Sequence, residues 1–197
     1  GAENAAYRPK SSGSERVVPF SLEYARADNR KTSIHRDLER AMADNELRVV
    51  YQPLLDARNG RIRCVEALAR WDHPELGLLM PSEFIPVAEA SGAIVELGGW
   101  MLDAACRQAA HWVKQGALTR LAVNVSPAQL ECAGYAGRVH SALAKSDLAP
   151  EHLELELTET AFQHDLRVAS QLLSELRESG VRLALDDFGT GHSSLTR

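Results

Sequence analysis

Four short apolar segments of this chain each finish on an acid or its amide, and each finish runs into a helix-like stretch. They are Glu66 in CVEALARW, Asn124 in LAVNVSP, Glu156 in LELELTE and the pair Asp186-Asp187 in LALDDFGTG. Such patterning points to an α/β fold of mostly parallel strands alternating with helices. There the strand ends and the loops after them share one rim, so oxygen ligands converge in space while lying far apart in sequence. Carboxylates with a carboxamide favour a hard cation, Mg²⁺ or Mn²⁺. The second carboxylate of Asp186-Asp187 would allow a two-metal site for phosphoester hydrolysis.

The spacing around those segments supports the same layout. Ile34, Leu38, Ala41 and Met42 form an apolar stripe that predicts a helix of about three turns from Ser33. Leu47 to Leu55 and Ile62 to Leu68 read as strands joined by the turn signal Asn59-Gly60, and so short a connection makes them antiparallel. Leu97, Trp100, Met101, Ala104, Ala105, Trp112 and Val113 share one helical face, which Gly116 ends. Leu121 to Val125 is the third expected strand; Ser126, Pro127 and Gln129 then supply an N-cap, a first-turn proline and a capping-box partner for a helix. Leu153 to Leu157 and Val181 to Leu185 are the fourth and fifth strands, with a helix through Ala169, Leu172, Leu173 and Leu176 between them, stopped by Gly180. The nearly continuous apolar strands predict a mostly parallel sheet covered by helices, in a barrel or an open sheet.

Charge and cysteine usage narrow the functional classes. A formal charge of −5 without a block of like charges excludes a polymeric nucleic acid partner, which needs a basic footprint, but leaves room for a small anionic ligand bridged by metal ions. Cys64, Cys106 and Cys132 are odd in number and widely spaced, which argues against a disulfide framework or a zinc site and fits a reducing cytoplasm. With 45% hydrophobic residues there is material for a substantial core, yet no apolar run of about 18 residues and no signal-peptide pattern.

Each candidate has a plainer reading. Asn124 could be a buried amide satisfied by backbone, Glu154 and Glu156 could lace an edge strand with charge, and Asp186-Asp187 could cap a turn. Adjacent carboxylates buried without a cation would repel. Asp187-Phe188-Gly189 also occurs in protein kinases, but no glycine-rich loop, strand lysine or H-R-D segment precedes it. The seven histidines lack metal-binding spacing. Trp71, Trp100 and Trp112 read as core rather than base-stacking residues, with Trp71 nearest the proposed site.

The succession Gln52-Pro53, Glu66-Ala67-Leu68-Ala69-Arg70-Trp71, Asn124-Val125-Ser126, Glu156-Leu157-Thr158-Glu159 and Asp186-Asp187-Phe188-Gly189-Thr190-Gly191 resembles the EAL-domain family of cyclic di-GMP phosphodiesterases. Residues 1–20, including Ala6-Tyr7-Arg8 and Lys10, are similar to the end of a GGDEF diguanylate cyclase domain, although Pro9 stands where such a helix has alanine. These resemblances imply a GGDEF-like remnant at 1–22, a linker and lead-in helix at 23–45, and a partial EAL domain at 46–197. The implied fold is a TIM-type (β/α) barrel with an antiparallel first strand, of which about five of eight strands are present.

The implied reaction is two-metal hydrolysis of cyclic di-GMP to linear pGpG. Glu66, Asn124, Glu156 and Asp186 would hold the first Mg²⁺ or Mn²⁺ and Asp187 would help hold the second; Glu66, Asp186 and Asp187 thus form the implied catalytic set. Gln52, Leu68 (through backbone nearby) and Arg70 would touch substrate. Glu159 and the loop Phe188 to Ser194 would position the second-metal carboxylate and form part of a homodimer surface, with His192 where the family more often has an aromatic residue. The family's barrel continues with strands bearing a lysine, a glutamate and a glutamine. A whole barrel takes about 250 residues, so the chain as given is expected to be a fragment with little turnover of its own. The parent is expected in the cytoplasm, free or tethered at the cytoplasmic face of a membrane. The rival function is a catalytically silent module that binds cyclic di-GMP and relays its occupancy.

Overall fold

The computed structural model describes residues 22–117, 120–158 and 166–186, with the side chains of 22–28, 158, 166–169 and 186 outside that description. The expected remnant at 1–22 therefore lies outside the described residues but for Leu22. Helix α1 spans Leu22–Ala43, and the antiparallel pair β1 (Leu47–Leu55) and β2 (Ile62–His73) follows. The chain continues through β3 (Gly77–Leu79), α2 (Pro81–Ser91), α3 (Ile94–Lys114) and β4 (Leu121–Val125). Then come α4 (Pro127–Leu130), α5 (Tyr135–Ser146), β5 (Leu153–Thr158), α6 (Leu166–Glu178) and β6 (Arg182–Asp186). The sheet order is β1-β2-β4-β5-β6 with β3 on β2; β1 and β3 are antiparallel to β2, and the pairs β2–β4, β4–β5 and β5–β6 are parallel. This is the α/β sheet expected, an incomplete TIM-type barrel with its first strand reversed; among the described residues it does not close.

One side of the sheet makes the core. Ala67, Ala69 and Trp71 of β2, Leu121, Val123 and Val125 of β4, and Leu153, Leu155 and Leu157 of β5 are all buried on that side, while Cys64 and Ala122 are the residues of β2 and β4 buried on the other, near the N-terminal ends of the strands. Against them α3 lays Leu97, Met101, Ala105 and Ala109, four residues apart on one face. Trp112 is only partly buried and meets Tyr51 of β1 edge-on, with ring centroids 4.7 Å apart.

Several elements depart from the sequence reading. Helix α1 begins at least eleven residues before Ser33, because LEYARADNRK is rich in strong helix formers, whereas a legible stripe starts only at Ile34, where the helix is buried. Strand β2 runs past Leu68 to His73 and folds back on β3, so the alternation continues through Trp71. Helix α2 was not expected: Pro81 occupies a first-turn position that tolerates proline, but Pro86 inside the helix masks its pattern. The helix announced by Ser126 is a single turn, and the longer α5 starts after Gly134 at φ +87°.

Helix α1 is latched to the barrel by buried charge. His73 Nδ1 accepts from the Glu75 and Leu76 amides at 3.1 and 3.3 Å, which puts the ring proton on Nε2; that atom lies 3.3 Å from Asp37 Oδ2, a polar contact outside hydrogen-bond geometry. Asp37 also takes a two-pronged contact from Arg36 at 3.0 and 2.8 Å, and this hydrogen bonding holds its carboxyl below the usual range despite burial. Arg30 clamps Glu83 Oε1 of α2 at 3.1 and 2.6 Å. The buried Trp71 indole donates to Glu46 Oε2 at 2.9 Å, which makes it a core anchor rather than a base platform.

Candidate active site

On the face of β2 opposite the helices stand Glu66, Leu68 and Arg70, half-buried between the buried Val65, Ala67, Ala69 and Trp71. Asn124 is the exposed member of β4, and Glu154 and Glu156 alternate with the buried leucines of β5. Register then aligns the strands. Gln52 is opposite Glu66, Glu66 is opposite Ala122, and Asn124, two residues further on, is opposite Glu156. Glu156 is opposite Ala184, and Asp186 ends β6 two residues beyond. Steps of zero or two preserve the pleat parity, and a stagger in one direction is what a tilted barrel wall produces.

Two of the expected site residues meet through their side chains. Asn124 Nδ2 donates to Glu66 Oε1 at 2.7 Å, linking β4 to β2 at their C-terminal ends. Asn124 is therefore an exposed amide engaged by a side chain, not a buried amide satisfied by backbone. Strand β5 lies between β4 and β6, which removes the edge-strand reading of Glu154 and Glu156. Nearer the N-terminal ends, Glu154 is bound to Arg120 at 2.9 Å, both side chains 17% exposed. The Cys64 thiol, buried two residues before Glu66, is pushed up to about 11 by burial and then by Glu154, so it stays protonated at neutral pH.

Glu66, Asn124 and Glu156 stand on three neighbouring strands, and their carboxylate and amide oxygens are of the type that would suit Mg²⁺ or Mn²⁺. Among the described residues there is no group of three His, Cys, Asp or Glu placed to hold a metal ion; two of the expected ligands are carboxylates here and the third is an amide. The side chain of Asp186, and Asp187, Glu159 and the loop 188–194 altogether, lie outside the described residues. Of the expected substrate contacts, Gln52 is opposite Glu66 in the register, and Leu68 lies two residues past Glu66. Arg70 folds Nη1 onto the Ala69 carbonyl at 2.8 Å and has no carboxylate partner among the described residues, leaving its charge for an anion.

Between the helix-facing side of the sheet and helices α2 and α3 lies a cavity of about 550 Å³, lined mainly by apolar groups such as Ala67, Ala69, Leu97, Met101 and Val125, with Glu89, Asn124 and Ser126 at its polar edge. Sequence reasoning missed Glu89. The expected capping box of α4 forms, with Gln129 Oε1 accepting the Ser126 N–H at 3.1 Å, and the Ser126 hydroxyl also donates to Glu89 Oε1 at 2.7 Å. The available signal was an acid in the last turn of a helix with no basic residue near it.

A profile of the EAL domain matches residues 35–197. An uncharacterized signaling protein of Caulobacter vibrioides is 45% identical over 195 residues, 99% of this chain and 24% of that protein. The bifunctional diguanylate cyclase/cyclic di-GMP phosphodiesterase MucR of Pseudomonas aeruginosa is 40% identical over 195 residues, 98% of this chain and 28% of that protein. The chain thus spans about a quarter of the length of these relatives. A solved structure of the PaMucR phosphodiesterase in complex with c-di-GMP superposes with a TM-score of 0.77 at 42% identity, covering 82% of this chain and 66% of that one.

Proposed function

Because this chain belongs to the EAL-domain family, we propose that the protein carrying it is a cyclic di-GMP phosphodiesterase that opens the cyclic dinucleotide to linear pGpG. The observation that carries the reading is the 2.7 Å contact between Glu66 and Asn124 at the C-terminal ends of two neighbouring parallel strands. Glu66, Asn124, Glu156 and Asp186 would hold one Mg²⁺ or Mn²⁺, and Asp187 would help hold a second. Such ions supply a nucleophile at neutral pH and neutralise the phosphoryl oxygens.

The chain's own residues bind and orient. Arg70, uncommitted to a carboxylate among the described residues, offers its guanidinium to a phosphate oxygen, and Gln52 offers an amide on the strand beside Glu66. Leu68, on the same face of β2 two residues past Glu66, offers apolar contact beside them. Glu159 positions the second-metal carboxylate in this reading. A homodimer contact through the loop after Asp187, a GGDEF-like unit upstream and a cytoplasmic setting belong to the same proposal; among the described residues no helix is long and apolar enough to cross a membrane.

The test is the conversion of cyclic di-GMP to pGpG by the full-length protein with Mn²⁺, followed by chromatography, beside its Glu66→Ala variant. Turnover that vanishes in the variant is expected. Tight cyclic di-GMP binding without pGpG under any divalent cation would overturn the hydrolase and leave the silent regulatory module in its place.

A further inference from the structure

We propose that Glu89 is a positioning residue for the metal site, acting on Asn124 through Ser126; this rests on the metal-dependent reading above. Three observations carry it. First, Asn124 is the last but one residue of β4, and Ser126, two residues on, is where the strand leaves the sheet. Ser126 is held at both ends: its hydroxyl donates to Glu89 Oε1 at 2.7 Å, and its amide N–H donates to Gln129 Oε1 at 3.1 Å. Fixing that point fixes the direction in which the Asn124 amide leaves β4, toward Glu66 at 2.7 Å.

Second, Glu89 is placed against its own helix. It sits in the last turn of α2, where the helix dipole opposes negative charge, with no basic residue in that turn and no ion-pair partner among the described residues. A stability-driven sequence would not keep an acid there, and sites that break a local rule without local compensation are where function is to be sought. Its Oε1 serves Ser126, and the side chain lines the cavity beside Asn124.

Third, room has been left for the second tether. Gln129 is 4% exposed, and a Cβ on Gly98 of α3 would stand 2.1 Å from its Nε2. The glycine lets the Gln129 amide approach α3 closely enough to reach back to Ser126. Groups that orient a metal ligand in this way commonly change metal affinity or activity by about 10- to 100-fold when removed.

The experiment measures Mn²⁺ affinity of the full-length protein by the electron paramagnetic resonance signal of free Mn²⁺, with kcat, KM and Tm alongside. Glu89→Ala and Ser126→Ala are each expected to weaken Mn²⁺ about 10-fold, and their combination no further, since both cut one link. Both should lower kcat more than they raise KM. Glu89→Gln should stay within about twofold of the parent, because its amide oxygen still accepts the Ser126 hydroxyl. Glu89 is exposed, so its removal should leave Tm unchanged or slightly raised. The proposal is overturned if Glu89→Ala keeps parental Mn²⁺ affinity while Glu66→Ala loses it, or if Glu89→Gln fails as badly as Glu89→Ala. Unchanged Mn²⁺ affinity in Glu66→Ala would bring down the metal reading itself, and this one with it.

Discussion

Glu66 and Asn124, 58 residues apart in the chain, share a hydrogen bond of 2.7 Å between the ends of two parallel strands. The pair is tolerable without a cation only because one member is an amide: its N–H satisfies the carboxylate. Replacing that amide by a second acid exchanges a hydrogen bond for repulsion. Asn124→Asp is therefore expected to lower Tm in EDTA and to regain most of the loss when Mn²⁺ is added, a larger metal-dependent rise than in the parent. Thermal scans with and without the ion check it; equal rises in both proteins would contradict convergence on a metal.

Two adjacent glycines of α3 should behave oppositely. A Cβ at Gly99 would fall within 1.8 Å of the Arg138 guanidinium, but that group ends a flexible side chain on an exposed residue and can swing aside. Gly99→Ala should be neutral, or stabilising by up to about 1 kcal/mol from helix propensity. Gly98→Ala meets the buried, hydrogen-bonded Gln129 and should cost about 1–3 kcal/mol. Denaturant titration of both variants measures the contrast.

Trp71 stands next to Arg70 in sequence yet is wholly buried on the other face of β2. Trp71→Phe removes the indole donor to Glu46, which should cost on the order of 1–2 kcal/mol, while KM for cyclic di-GMP stays within about twofold of the parent. A rise in KM with unchanged stability would instead return Trp71 to the substrate site.

Asp37 gives the protein an acid-sensitive latch. Its carboxyl is held below the ordinary value of 3.8 by the Arg36 hydrogen bond. The folded state thus binds a proton less readily than the unfolded chain, so this stabilisation is fully present above about pH 4 and is lost as pH falls through the folded-state value. Asp37→Asn should flatten that acid limb of the stability curve and lower stability near neutrality, where His73 and Arg36 lose their partner. Urea denaturation from pH 3 to 7 reads both effects.

The strands were legible because alternation and apolar runs are local: β1 and β4 fall at Leu47–Leu55 and Leu121–Val125, as their patterns predict. The meeting of Glu66 with Asn124 was legible too, since strand ends in a parallel sheet share a rim whatever their separation in sequence. Helix α2 was not, because Pro81 and Pro86 erase its periodicity, and neither was the length of α1, whose first half has helix-forming residues without a stripe. Glu89 escaped for a different reason: its partner Ser126 offered a complete local explanation as an N-cap, and only the fold reveals that the hydroxyl also donates to a carboxylate 37 residues away. The Asp37–His73 pair is likewise a long-range fact, between residues 36 apart in the chain.

The even stagger along the sheet has a genetic corollary. One residue inserted or deleted within β4 upstream of Asn124 would leave every chemical group of the site in the gene product, yet turn the amide away from Glu66 and drive Val123 and Val125 into the mouth of the barrel. In a strand of this kind, length is under stricter selection than composition, and frame-preserving indels are its most damaging lesions.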